Sequence, residues 1–157
     1  MLFRSRRGGA LSALTKDEIG RLLPHSGSMC LLDSVDGWDE LSIRCRAVTH
    51  RERTHPLRSR GQLPVSAGLE YAAQAMGVHA GLLDRGSRTE GRIGYVGSVR
   101  DITFAVDRLD DTASDLIVEA TRLAEGDQSY MYRFTVSLGD RTVIEGRASI
   151  FIKAELE

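Results

Sequence analysis

The chain has 157 residues, of which 41% are hydrophobic and 27% charged, and its formal net charge is −1. These values suit one globular domain with a core of its own, and they exclude a disordered chain, a collagen-like fibre and a coiled-coil rod. No apolar run approaches the roughly 20 residues that a membrane helix needs. A uniformly basic nucleic-acid binder is also excluded: residues 1–62 carry 11 Lys+Arg against 7 Asp+Glu, and residues 63–157 carry 10 against 15.

Residues 1–14 hold three arginines without an apolar stretch behind them, so they read as a loose tail and not a secretory signal. A single domain is expected over 15–157, since no repeat, low-complexity stretch or linker interrupts it. Thr15-Lys-Asp-Glu18 has the form of a capping box, which predicts a short helix that stops before Pro24. Strands are expected at Met29–Val35 and Leu41–Val48, with Asp36-Gly37 in the turn between them. Cys30 and Cys45 are too few for a zinc site and fit no redox spacing, so they are expected to stay reduced in a cytoplasmic setting.

Residues 49–63, THRERTHPLRSRGQL, are polar and basic and predict a loop of unusual length; such loops are often functional. Pro64 ends the loop. Val65–Leu83 then places Leu69, Ala73, Met76, Ala80 and Leu83 at helical spacing among small residues. A helix that is apolar nearly all round is a buried one. Strands follow at Ile93–Phe104, Asp115–Leu123, Ser129–Leu138 and Val143–Ile152, with turns at Gly126-Asp127 and Gly139-Asp140. One long helix with a curved antiparallel sheet around it is an α+β arrangement.

Glu70 is out of place in that apolar helix. A buried carboxylate is costly unless it is paired or used, whereas one at the helix start can simply face solvent; the pattern leaves both readings open. Gln74 lies four residues on and can hydrogen-bond it. His55 stands in the basic loop just upstream, and histidine is the commonest general acid–base. Taken alone, a loop histidine is more often a bland surface residue, and His25, His50 and His79 have the same formal claim. His79, deep in the apolar helix, reads as a satisfied core or interface residue. His50 and His55 do not form an HExxH pair, and Ser66 lacks the G-x-S-x-G frame, so neither a zinc centre nor a serine nucleophile is expected. Gly97, within a strand pattern, marks a bulge or a close backbone approach.

The element order, with HPLRSRGQLPVSAGLEYAAQAM at its centre, resembles the hotdog fold and its 3-hydroxyacyl-acyl-carrier-protein dehydratases of the FabA/FabZ type. The likeness rests on His55, Pro64, Glu70 and Ala73-Gln74, and on Leu23, Pro24, His25, Leu32, Asp33 and Val35 in the lead-in. It covers about residues 19–152 and is nearest to the small dehydratases found with aryl polyene pigment synthesis. The chain departs from the family where Pro56-Leu57-Arg58 replaces Phe-Pro-Gly, where the loop is one residue longer, and where Val65 replaces a glycine.

The resemblance implies dehydration of a 3-hydroxyacyl thioester to a trans-2-enoyl thioester. His55 would be the base at C2 and Glu70 would assist loss of the hydroxyl. Amides at the start of the Val65 helix would form an oxyanion hole. Pro64, Val65, Ser66, Gln74 and Gly97 would contact substrate, and no metal or organic cofactor is implied. Acyl carrier proteins are acidic, so Arg58 and Arg60 are the expected docking residues. The family also implies a homodimer, or a heterodimer with a related hotdog chain, in which each site takes its histidine from one chain and its acid from the other. A hotdog thioesterase and a non-catalytic hotdog subunit are the alternatives.

Overall fold

The computed structural model describes residues 13–23, 29–85 and 93–153. Residues 1–12 of the expected tail and the family-like Pro24 and His25 lie outside the described residues, while Leu14, expected in the loose tail, is instead paired with Val35 by two backbone hydrogen bonds of 3.0 Å.

The capping box forms as expected. The Thr15 hydroxyl accepts from the Glu18 amide, and the Glu18 carboxylate accepts from the Thr15 amide, at the start of α1 (Lys16–Gly20). Segment 29–33 is not the strand expected there. Its backbone is held largely by side chains: the Leu31 N–H donates to Gln74, and the Leu31 carbonyl accepts from Thr49. The strand begins later, as β1 (Ser34–Trp38), and pairs with β2 (Ser42–Ala47). Asp36-Gly37 therefore lies at a bulge inside β1, not in the turn. The turn is made by Asp39, whose carboxylate accepts from the Leu41 and Ser42 amides.

A single 3₁₀ turn, Val65–Ala67, leads into α2 (Gly68–Arg85). Then come β3 (Ile93–Phe104), β4 (Leu116–Gly126), β5 (Ser129–Leu138) and β6 (Arg141–Lys153). The six strands form one antiparallel sheet in the order β1-β2-β4-β5-β6-β3, with β3 at an edge. One long helix laid against an antiparallel sheet is the hotdog arrangement expected from the sequence.

The small residues of α2 do what small residues permit. A Cβ added at Gly94 of β3 would lie 3.2 Å from the Gly77 Cα and carbonyl oxygen, so helix and strand backbones meet directly there. The rest of the helix buries Tyr71, Ala72, Ala75, Met76, Val78 and Ala80 against the sheet. His79 is fully buried and doubly bonded, to the Asp39 carbonyl through Nε2 and to the Tyr132 hydroxyl through Nδ1, 2.7 Å each. It is a core residue that ties α2 to the β1–β2 turn. Among the described residues no helix is long and apolar enough to cross a membrane.

Candidate active site

The long basic loop is braced from one point. Asp110, nearly buried, accepts from the Leu63 amide (3.2 Å), from Arg58 (3.0 Å) and twice from Arg108 (2.8 Å each). Arg108 foremost, with the Leu63 amide, holds its carboxyl far below the usual range. Arg58 also donates to the Glu52 and Gly61 carbonyls at 2.7 and 3.1 Å. Its side chain is only 17% exposed. Arg58 is therefore occupied within the fold and does not present the free cation expected for carrier docking. Arg60, left-handed at φ 53° and followed by Gly61 at φ 77°, is exposed on the same loop.

His55 is 4% exposed. Its Nδ1 accepts the Leu57 amide at 3.0 Å, and its Nε2 lies 2.9 Å from the Tyr71 hydroxyl. That hydroxyl lies 2.7 Å from the Thr49 hydroxyl, which donates to the Leu31 carbonyl at 2.6 Å. Burial, with Arg58 and His50 adding positive charge, pushes the His55 pKa down, so the imidazole is neutral at neutral pH. Burial pushes the Tyr71 phenol up, so it keeps its proton.

Glu70 faces elsewhere. It lines a cavity of about 430 Å³ with apolar neighbours that include Leu57, Leu69, Met76 and Val99, and it also borders a smaller cavity of about 180 Å³ against Tyr95 and Val96. Both cavities lie along edge strand β3. Glu70 and Tyr71 are consecutive on α2, so their side chains leave the helix about 100° apart. Tyr71 holds His55, and His55 does not line either cavity. Within one chain, then, the expected acid borders the cavities while the expected base is held at Tyr71 and lines neither of them.

Gln74 is committed to the fold. It donates to the Met29 carbonyl at 2.6 Å and accepts the Leu31 amide at 2.9 Å, and it reaches Glu70 only at 3.5 Å. Pro64 and Ser66 line the larger cavity, as expected of substrate contacts. The Val65 amide does not point to a substrate oxygen, because it donates to the Asp107 carbonyl at 2.9 Å. The Ala67 amide is likewise bonded, to Pro64. Ser66 is exposed at the cavity, and its amide makes no bond outside its own helix among the described residues. Gly97 sits at a bulge of β3, covered by the Phe151 ring, which an added Cβ would strike. That contact explains the glycine without a substrate.

Tyr71, Thr49, Leu57 and Asp110 were not legible as site residues. Tyr71 carried a usable signal. It is the one tyrosine in a helix made mostly of small and apolar residues, and a buried tyrosine needs a partner for its hydroxyl.

Comparison with known proteins places this geometry in a family context. The model of the ApeP-like family, described as ApeP dehydratase, matches residues 17–157. The dehydratase heterocomplex ApeI:P from Xenorhabdus doucetiae is similar in structure, with a TM-score of 0.76 and 22% identity over 90% of this chain and 93% of that one. Thioesterase HI1161 from Haemophilus influenzae shares the fold at a TM-score of 0.65 and 12% identity, over 92% of this chain and 94% of that one. Among curated protein sequences none matches the chain.

Proposed function

The chain belongs to the ApeP-like dehydratase family, and from that premise we propose that it dehydrates a 3-hydroxyacyl thioester with His55 as base and Glu70 as acid. The observation that carries the assignment is Glu70. It is a carboxylate of the first turns of α2 that borders two cavities, the larger with mainly apolar walls suited to an acyl chain. His55, buried and neutral, removes the C2 proton. The C2–H electrons form the C2=C3 double bond, and the C3 hydroxyl leaves with a proton from Glu70 as water. The thioester oxygen, which gains charge as C2 is deprotonated, is stabilised by the Ser66 amide at the start of the helix. That role passes to Ser66 because the Val65 amide is already bonded.

A complete site needs two chains in this reading, since within one chain His55 lines neither cavity that Glu70 borders. β3 is an open edge with Tyr95, Val96, Val99 and Phe104 each about 40% exposed or more. Such an edge invites strand pairing. A second copy docked along β3 would bring its own loop to the Glu70 cavity, giving a symmetric homodimer with two composite sites. The heterocomplex nature of the ApeI:P neighbour favours a second version, in which a related hotdog chain takes the place of the copy. The substrate is carried on an acidic acyl carrier protein that Arg60 attracts from the loop.

The test is to mix the protein, alone and with a related hotdog chain, with a 3-hydroxyacyl thioester. A rise in enoyl absorbance is expected. Free thiol without enoyl would make it a thioesterase. Neither product in either mixture would leave it a non-catalytic subunit.

A further inference from the structure

We propose that Tyr71, backed by Thr49 and the Leu31 carbonyl, is the positioning residue that holds His55 in a single neutral tautomer with its proton on Nε2. This deepens the proposed function and rests on its reading of His55 as the base.

The direction of each bond in the chain follows from its two ends. The Leu31 carbonyl can only accept, so the Thr49 hydroxyl spends its one proton there (2.6 Å). Toward Tyr71, 2.7 Å away, Thr49 can then only accept, and the Tyr71 hydroxyl must donate. With its proton spent, the Tyr71 oxygen can only accept from His55, so Nε2, 2.9 Å away, carries a hydrogen. The opposite end gives the same answer independently. The Leu57 amide can only donate, so Nδ1, at 3.0 Å, must be the bare nitrogen. Two fixed ends, a carbonyl and an amide, agree on one proton arrangement.

Two consequences follow for chemistry. The one lone pair with which His55 can take a proton is on Nδ1. In this structure that lone pair is covered by the Leu57 amide. A substrate that reaches His55 therefore replaces the Leu57 N–H with its own C2–H. Tyr71 keeps its bond to Nε2–H throughout, so the ring turns no further as its charge develops. Its part resembles that of any group that orients a catalytic imidazole from behind.

The test is nitrogen-15 NMR of labelled His55 at neutral pH, paired with steady-state kinetics. Wild type should show one tautomer, protonated at Nε2. Tyr71→Phe should keep that tautomer through the Leu57 amide but leave Nε2–H without its acceptor, seen as a shifted Nε2 resonance and faster exchange of its proton, with kcat lowered by about tenfold or more and KM little changed. Thr49→Val leaves the Tyr71 proton without its acceptor and should move both readouts the same way by less. A wild-type His55 protonated at Nδ1, or a Tyr71→Phe protein that keeps the wild-type Nε2 resonance and kcat, overturns the proposal. His55→Ala separates the two claims. Full turnover in that variant would remove the base assignment while the tautomer spectra still decided the positioning.

Discussion

At Glu70 the substitution that changes least is the most informative. Glu70→Gln keeps the size of the side chain and much of its hydrogen bonding but cannot deliver a proton. Turnover should fall by about 10² or more. Gln74→Ala should act differently from what its spacing suggested. Gln74 holds the Met29–Leu31 backbone rather than Glu70, so its loss should appear first as lower stability in thermal unfolding, with turnover following. His55 gives a pH prediction with a definite sign. Arg58, His50 and burial act together to lower its pKa, and no carboxylate is among the groups that shift it. The neutral, proton-accepting form then survives below the ordinary histidine range. The acid limb of kcat/KM should lie below about pH 6.5, and Tyr71, bonded to Nε2, should stay protonated through the whole range. The sequence made His55 and Glu70 visible because loop basicity and an odd carboxylate stand out in one dimension. It could not show which way either side chain points, because Glu70 and Tyr71 differ by one position and by a third of a helical turn.

At the scale of elements, the loop and the helix each have one fastening. Asp110 fastens the loop, collecting Arg58, Arg108 and the Leu63 amide. Asp110→Ala leaves Arg58 largely buried without its carboxylate and should cost about 3 kcal/mol in urea unfolding. The same geometry separates two arginines that look equivalent in sequence. Arg60→Glu should raise KM for a carrier-bound substrate and spare small thioester mimics. Arg58→Glu should damage both, because it breaks the loop. His79 fastens the helix to the β1–β2 turn, and burial pushes its pKa down to about 4. Unfolded, it takes a proton near pH 6.5; folded, it does not until about pH 4. Its contribution is therefore complete above pH 6.5 and is lost as pH falls toward 4, by about 3 kcal/mol. Urea unfolding at pH 7 and at pH 4.5 should show that loss in wild type, and a smaller pH dependence in His79→Leu. The long strands and α2 were legible because their periods persist over ten or more residues. Segment 29–33 was not, because side chains from α2 and the Thr49 turn replace the strand partner that its apolar pattern implied.

For the whole molecule, antiparallel connection of the last three strands was legible from their length and turns, but the position of β3 was not fixed by its order in the chain. It pairs with β6, the last strand, and so leaves its other side open. The exposed apolar residues along that edge are the reason for expecting a partner chain, and the separation of His55 from Glu70 is the reason for expecting that partner to complete the site. Native mass spectrometry of the purified 17.3 kDa chain should show a dimer, or a complex once a related hotdog chain is supplied. The shared site is the central claim, and complementation between two dead variants of the self-paired chain tests it most directly. His55→Ala and Glu70→Gln should each be inactive alone. Unfolded together and refolded, half of the dimers are mixed if assortment is random, and each mixed dimer has one intact site and one doubly damaged site. About a quarter of wild-type dehydration should return. If native mass spectrometry confirms the mixed dimers and no activity returns, His55 and Glu70 do not form a site across two chains.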